Sequence, residues 1–301
     1  MQKGVRNCRG MENYKFSYGL AKTKYMIIQT GSEKAVAVEE AVKQGFVEET
    51  DKYQYVGLFV NKKGNLASHF EFLKGKIKDS MSVLMNTGHE SNVGKEALRV
   101  KLHLYSSTIV PAILNNLETW EGITCSEYQE LEKIQSECLK KILHVPTSSP
   151  YYGILMEVGL WPLENFLWYR KLMLYHNIVN SKDNRLGKIV WTQQHKYEMP
   201  NSFDYNIKKI CGILQLNCEP GFMKCQLKSA WKRLVKSSIH DHVAHTLQQH
   251  VQRMTKLRFL KGDAFARKSY VDKVSSSMAY KILLIRLNVC QAKENFRRRD
   301  N

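Results

Sequence analysis

Nowhere in these 301 residues are two cysteines spaced as CxxC, although there are seven: Cys8, Cys125, Cys138, Cys211, Cys218, Cys225 and Cys290. Odd in number and dispersed, they do not read as a disulfide framework, and they suit a reducing, intracellular setting, cytoplasmic or nuclear. No apolar run approaches the length needed to cross a bilayer, so no membrane partner is expected. The opening stretch MQKGVRNCRGMENYKF lacks an apolar segment of signal-peptide length, and its first ten residues are expected to be disordered. Acidic residues are scarce. Only 28 Asp and Glu face 46 Lys and Arg, giving a formal charge of +18 and a pI near 9.5.

What is present is otherwise ordinary for a globular chain, with 43% hydrophobic and 25% charged residues. A charge of +18 favours polyanionic partners and says nothing about fold. Its distribution adds information. Residues 219–301 hold 18 Lys and Arg against 6 Asp and Glu, a net +12, which leaves +6 for residues 1–218. The last part of the chain reads as a basic module.

Along the chain, the hydrophobic period changes from two to 3.6. Tyr25–Ile28 and Tyr53–Val60 read as strands, and Asn61–Asn65 supplies a turn with Gly64 available for a positive φ. Ala35–Val47 fits helix and strand patterns about equally. Phe70, Leu73, Ile77, Met81 and Leu84 make a helical stripe, followed by Leu98, Leu102, Tyr105 and Ile109, where Pro111 imposes a kink or break. Thr124 to Glu127 has capping-box spacing. The helix it opens sets Tyr128, Leu131, Ile134, Cys138, Ile142 and Val145 on one face, with Lys133, Lys140 and Lys141 off it. Ser149-Pro150 opens a short helix that Gly159 can close, and Trp161-Pro162 opens another to about Asn180. Ser181–Pro220 reads as a connector with one helix near Ile207–Leu216. Beyond it, stripes use Leu227, Trp231, Leu234 and Ile239, then Val243, Leu247 and Val251, then Ile282, Ile285 and Val289.

Several segments, in order, resemble the C-terminal half of reverse transcriptases from non-LTR (LINE-type) retrotransposons. YGLAKTKYMII (Tyr18–Ile28) is similar to the segment that closes the palm, motif D. YQYVGLFVNKKGN (Tyr53–Asn65) is similar to the primer-grip hairpin. LHLYSSTIVPAILNNLETW (Leu102–Trp120) resembles the thumb helix, although Asn115-Asn116 stand where that pattern has Tyr-Gly. LEKIQSECLKKILHVPTSSPYYGILMEVGLWPLE (Leu131–Glu164) resembles the helices beyond the thumb. The likeness covers roughly residues 11–300. It implies a mainly α fold: a helical thumb-like domain and a C-terminal helical module, with a small N-terminal β/α remnant of a polymerase palm. The corresponding boundaries are 1–64 for a disordered start and palm remnant, 65–182 for the thumb and post-thumb domain, 183–218 for a connector, and 219–301 for the basic module.

Catalysis in that family requires carboxylates that hold two Mg²⁺ ions, one pair of them in a Tyr/Phe-x-Asp-Asp turn before motif D. This sequence contains no Asp-Asp pair, and its first aspartate is Asp51. Without such carboxylates, phosphoryl chemistry through two metals has no basis, so no cofactor and no polymerase activity are expected of this chain on its own. Mg²⁺ belongs to the intact family enzyme. The expected partner is RNA or an RNA–DNA duplex, with a separate palm-containing chain as a further one. The alternative is a domesticated or relic helical interaction protein with no role in nucleic-acid chemistry.

The candidate site residues follow from this resemblance and from the charge pattern, and each has a plainer structural reading. Lys22 or Lys24, in motif D, would protonate departing pyrophosphate, or is simply solvated beside a strand. Tyr53, Tyr55 and Gly57 would brace a primer, or form a hairpin that covers a core. Lys62, Lys63, Lys133, Lys140, Lys141, Arg297, Arg298 and Arg299 would contact phosphates, giving affinity without sequence reading, or form ordinary solvated faces. His240, His242, His245 and His250 cluster in sequence without converging as zinc ligands would, so no metal site is assigned. Cys211, Cys218 and Cys225 recur every seven residues, a spacing that Pro220-Gly221 interrupts. Trp161, Trp168, Tyr169, Tyr175 and Trp191 fit core packing better than base stacking.

Overall fold

The computed structural model describes residues 24–25, 48–55, 57–86 and 97–289. The fold is mainly helical, 70% helix, with a small N-terminal β part, as the sequence implies. The chain divides into two compact units, Met1–Leu73 and Lys74–Asn301.

In the first unit, β1 (Lys24–Tyr25) pairs in parallel with β2 (Glu48–Glu49). β3 (Lys52–Tyr55) pairs antiparallel with β4 (Leu58–Asn61), Tyr55 lying opposite Leu58. The stretch Tyr53–Val60 is therefore two strands of a hairpin. Two residues separate them, and Gly57 adopts φ 87°, a left-handed conformation that costs glycine little. The side chain of Asn61 then accepts hydrogen bonds from the amides of Lys63 (3.1 Å) and Asn65 (3.2 Å), and Gly64 takes φ 65° as expected. This turn delivers the chain, through the buried Leu66, into α1 (Ala67–Asn86), where Phe70 and Leu73 are buried. The rings of Phe59 and Phe72 meet at 4.7 Å, and Nδ1 of His69 accepts the Phe59 amide at 3.4 Å. Residues 26–47, including the ambiguous Ala35–Val47, lie outside the described residues.

The second unit begins within α1, where Ile77, Met81 and Leu84 continue the buried stripe. In α2 (Ala97–Leu104) the predicted face, Leu98 and Leu102, is buried, as are Tyr105 and Ile109 beyond it. Pro111 has no N–H to give, and the helix answers by widening rather than breaking. Residues Tyr105–Ile109 form a π-turn, with the Val110 amide reaching back to the Tyr105 carbonyl, before α3 (Val110–Ile113) resumes. Asn116, which stands where the resemblance has glycine, takes φ 61°, the region asparagine tolerates best after glycine. A short 3₁₀ turn, Leu117–Thr119, leads on to α4 (Cys125–Ile142), α5 (Tyr151–Val158) and α6 (Leu163–Val179).

α6 is the hub of this unit. Leu163, Leu167, Trp168, Leu172, Tyr175 and Val179 are buried, and α4 packs on it together with α7 (Leu186–Lys196), α8 (Phe203–Leu214), α9 (Pro220–Cys225) and α10 (Lys228–Arg253). The aromatic-rich region is largely core, since Trp168, Tyr175 and Trp191 are buried while Trp161 and Tyr169 are partly exposed. The Trp231 indole donates to the Leu172 carbonyl at 3.1 Å, stitching α10 to α6. Lys171 is buried because Glu121 (2.7 Å) and the Trp120 carbonyl (2.8 Å) receive its ammonium. A 3₁₀ stretch (Thr255–Leu260), α11 (Ser269–Lys273) and α12 (Ser276–Arg286) complete the described chain. The fully buried Glu157 of α5 receives Arg286 at 2.8 Å and the Tyr270 hydroxyl, so its charge ties the end of the chain to the core.

Three sequence expectations change. The buried row of α10 is Trp231, Val235, Ile239, Val243, Leu247 and Val251 in one continuous helix, and Leu227 and Leu234 are exposed. In α12 the buried residues are Ala279 and Leu283, with Leu287 just beyond, while Ile285 is exposed. Residues 183–218 hold two helices rather than one: α7 was not expected, and α8 starts earlier than its apolar pattern suggests because Ser202 caps it by accepting the Tyr205 amide at 3.2 Å. Among the described residues no helix is long and apolar enough to cross a membrane.

Candidate nucleic-acid interface

The candidate site is built on α4. Thr124 Oγ1 accepts the Glu127 amide (3.3 Å) and Glu127 Oε2 accepts the Thr124 amide (2.8 Å), a complete capping box. One face, Leu131, Ile134, Cys138, Leu139 and Ile142, is buried. Gln135 shares that face without exposure, and both ends of its amide are engaged. Its carbonyl oxygen accepts from the Tyr151 hydroxyl (2.6 Å) and the Leu163 amide (2.9 Å), and its NH₂ donates to the Trp161 carbonyl (2.8 Å). Gln135 thereby caps the start of α6, where Pro162 has no side-chain acceptor to offer.

The C-terminal end of α4 shapes the site. His144 adopts φ 53°, the Val145 amide returns to the Lys140 carbonyl (3.1 Å), and the His144 amide returns to that of Lys141 (3.2 Å). This is a Schellman reversal with histidine in the place usually held by glycine. Lys140 Nζ then donates to the Thr147 carbonyl at 2.7 Å, which holds the following turn beside the helix. Between the two lies an open groove of about 1020 Å³.

The three lysines picked out on α4, Lys133, Lys140 and Lys141, all line this groove, with Met85, Ser136 and His144 among its other walls. Their spacing spans two helical turns, roughly 10 Å. Their charges are differently committed. Lys133 pairs with Glu130 at 2.6 Å, and Lys74 joins the same carboxylate at 2.9 Å. Hydrogen bonding from Lys133 and then Lys74 holds the Glu130 carboxyl down at about 2. Lys140 donates a hydrogen bond to a neutral carbonyl, and burial draws its pKa down against the opposing pull of Glu137. No ion pair of Lys141 is found among the described residues. Glu132 and Glu137 also line the groove, so its wall is mixed; burial raises the pKa of Glu132.

The other sequence candidates are not gathered here. Lys62 pairs with Asp51 at 2.8 Å, both exposed, and belongs with Lys63, Tyr53 and Gly57 to the first unit. Tyr53 is exposed on β3, and the side chain of Tyr55 lies outside what is described. Lys24 sits in β1 opposite Glu48. Lys22, Arg297, Arg298 and Arg299 lie outside the described residues. The clustered histidines face different aromatic rings: His240 meets Phe265, His242 meets Trp168, and His250 stacks on Tyr152. Among the described residues no group of three or more His, Cys, Asp or Glu is arranged to hold a metal ion.

Sequence reasoning missed Gln135, His144 and Thr147. A polar residue on an apolar stripe was the available signal for Gln135; the roles of the other two depend on a backbone reversal that carries no sequence period. Compared with protein-family models, with curated proteins and with solved structures, the chain matches none.

Proposed function

We propose that this chain is a C-terminal portion of an RNA-directed DNA polymerase of the non-LTR retrotransposon kind, and that the groove beside α4 grips the backbone of RNA or an RNA–DNA duplex. The observation that carries the reading is the convergence of Lys133, Lys140 and Lys141 on one open groove, within the segment whose motifs resemble the thumb. Cations two helical turns apart along a groove wall suit successive phosphates, and such contacts bind without reading sequence. The left-handed Asn116 also supports it, since it takes the conformation the resembling pattern reserves for glycine.

The test is binding of an RNA–DNA hybrid, followed by fluorescence anisotropy across a salt series. Affinity should fall log-linearly with salt, and Lys133→Ala with Lys140→Ala and Lys141→Ala should lower the slope by about two to three, roughly one for each phosphate no longer neutralised. Absence of binding at low salt would remove the proposal. With no Asp-Asp turn in the sequence, Mg²⁺-dependent primer extension by the purified chain alone is not expected, and its detection would overturn that part.

A second reading, a helical interaction protein, is favoured by one observation. α7 turns Leu186 (75% exposed), Ile189 and Val190 to solvent on adjacent turns, an apolar face unlike the groove in chemistry. Hybrid binding that ignores the three lysine changes would leave this reading the stronger.

A further inference from the structure

Not every aromatic side chain around α6 is spent on the core. Tyr175, Trp191 and Trp231 are buried, and each donates its polar hydrogen within the protein: Tyr175 to the Cys218 carbonyl (2.6 Å), Trp191 to Asp204 (2.9 Å) and Trp231 to the Leu172 carbonyl (3.1 Å). Trp161 and Tyr169 differ on both counts. They are half-buried, and neither the Trp161 indole N–H nor the Tyr169 hydroxyl has a hydrogen-bond partner among the described residues. Buried rings of these types usually find one, so these polar ends are reached by water instead. Phe166, also half-buried, completes the cluster at the start of α6. Trp161 meets Phe166 at 5.3 Å and Tyr169 at 6.4 Å, with the rings inclined by 46° and 60°, so none lies flat on its neighbour.

The border of this cluster is cationic. The Lys236 ammonium of α10 stands 5.8 Å from the centre of the Tyr169 ring, within cation–π reach. Lys232 and Lys228 precede it at intervals of four residues, each about 6 Å along the helix axis. All three are exposed, and none has an ion pair among the described residues. The chain supplies no acid close by, since no Asp or Glu lies between Glu219 and Asp241. A row of unneutralised cations beside half-open rings complements a polymer that carries phosphates at regular intervals and flat bases between them. None of these residues lines the α4 groove.

We propose that this face of α6 and α10 binds single-stranded nucleic acid, with Trp161 and Tyr169 stacking on unpaired bases and Lys228, Lys232 and Lys236 holding the phosphates that run past them. Stacking on an aromatic ring tolerates any base, and a lysine on phosphate reads none, so the face binds without sequence preference. A duplex has its bases already stacked on one another and offers these rings no face. An acidic protein surface would meet the lysines and leave the rings idle. The face is separate from the duplex-gripping groove and holds whether or not that groove does.

The test compares oligouridylate, oligothymidylate and an abasic oligomer of equal length, each titrated into the full chain by fluorescence anisotropy with tryptophan emission followed in parallel. Both base-carrying strands should bind, and the abasic strand should bind roughly 5- to 100-fold more weakly, the range that one stacked base contributes. Trp161→Leu should abolish most of the tryptophan quenching and weaken the base-carrying strands by a similar factor without altering abasic affinity, and Tyr169→Leu should act in the same direction. Lys232→Ala with Lys236→Ala should lower the salt slope by about 1.4, at roughly 0.7 for each phosphate of a single strand. Lys133→Ala with Lys140→Ala and Lys141→Ala should leave single-strand binding as it was, which separates this face from the groove. Equal affinity for abasic and base-carrying strands, quenching that survives in Trp161→Leu, or loss of single-strand binding in the α4 variant would each overturn the proposal. The abasic comparison uses the unaltered chain, so it decides even where a variant folds poorly.

Discussion

His69 and Gln135 are single residues on which local structure depends, and each fails in a different way. Burial pushes His69 down to about 4, and its Nδ1 must stay unprotonated to accept the Phe59 amide. A folded pKa below the unfolded value of about 6.5 means the unfolded chain binds the extra proton first. The stability His69 contributes is therefore complete above about pH 6.5 and is lost as pH falls toward about 4. The amide of Phe59, followed by nuclear magnetic resonance, should lose protection over that interval, and His69→Gln, which keeps an acceptor without the titration, should flatten the response. Gln135→Leu leaves the Tyr151 hydroxyl, the Leu163 amide and the Trp161 carbonyl without their partner in the core. Unsatisfied buried groups cost about 1–3 kcal/mol each, so a loss of about 3 kcal/mol or more is expected, read as a lower urea midpoint at unchanged slope.

The ends of the helices matter more at the next scale than their middles. Gly159, which closes α5, sits at φ 63°, and a Cβ there would stand 2.4 Å from the Arg267 backbone nitrogen. Gly153 is also crowded, but a Cβ would meet only side-chain ends, Leu257 at 2.7 Å and Leu287 at 2.8 Å. Gly159→Ala should therefore cost about 2–4 kcal/mol by thermal melting, and Gly153→Ala less, because methyl groups can turn aside and a backbone cannot. These elements also show what the sequence can convey. The capping box at Thr124, the stripe from Phe70 to Leu84 and the stop at Gly159 are local signals, and each corresponds to the observed element. The face of α10 was misassigned because leucines at 227 and 234 are as apolar as Val235, and only the neighbours decide which of them is covered. α7 was missed because Leu186, Ile189 and Val190 point outward and Trp191 is its one buried apolar side chain, so no core-directed period marks it. At the site, the lysines were legible as the charged side of a helix. The groove was not, since it is made by the left-handed His144 and the Lys140–Thr147 bond.

For the molecule as a whole, the concentration of positive charge in residues 219–301 does not make that stretch separable. Trp231 is fully buried and hydrogen-bonded to α6, and Glu157 of α5 holds Arg286. Residues 219–301 produced alone should show little cooperative unfolding by circular dichroism. Cooperative melting of that fragment would contradict the packing described. The buried row of α10 has one more implication. Its members recur every four residues, from Trp231 to Val251, whereas the helix turns about 100° per residue. Each successive member is thus displaced by about 40°, and the row winds through roughly 200° from one end to the other. The helix is a spindle on which its neighbours are wound. Each neighbour covers an arc, and damage to one bares a sector of the spindle while the remaining windings keep their grip.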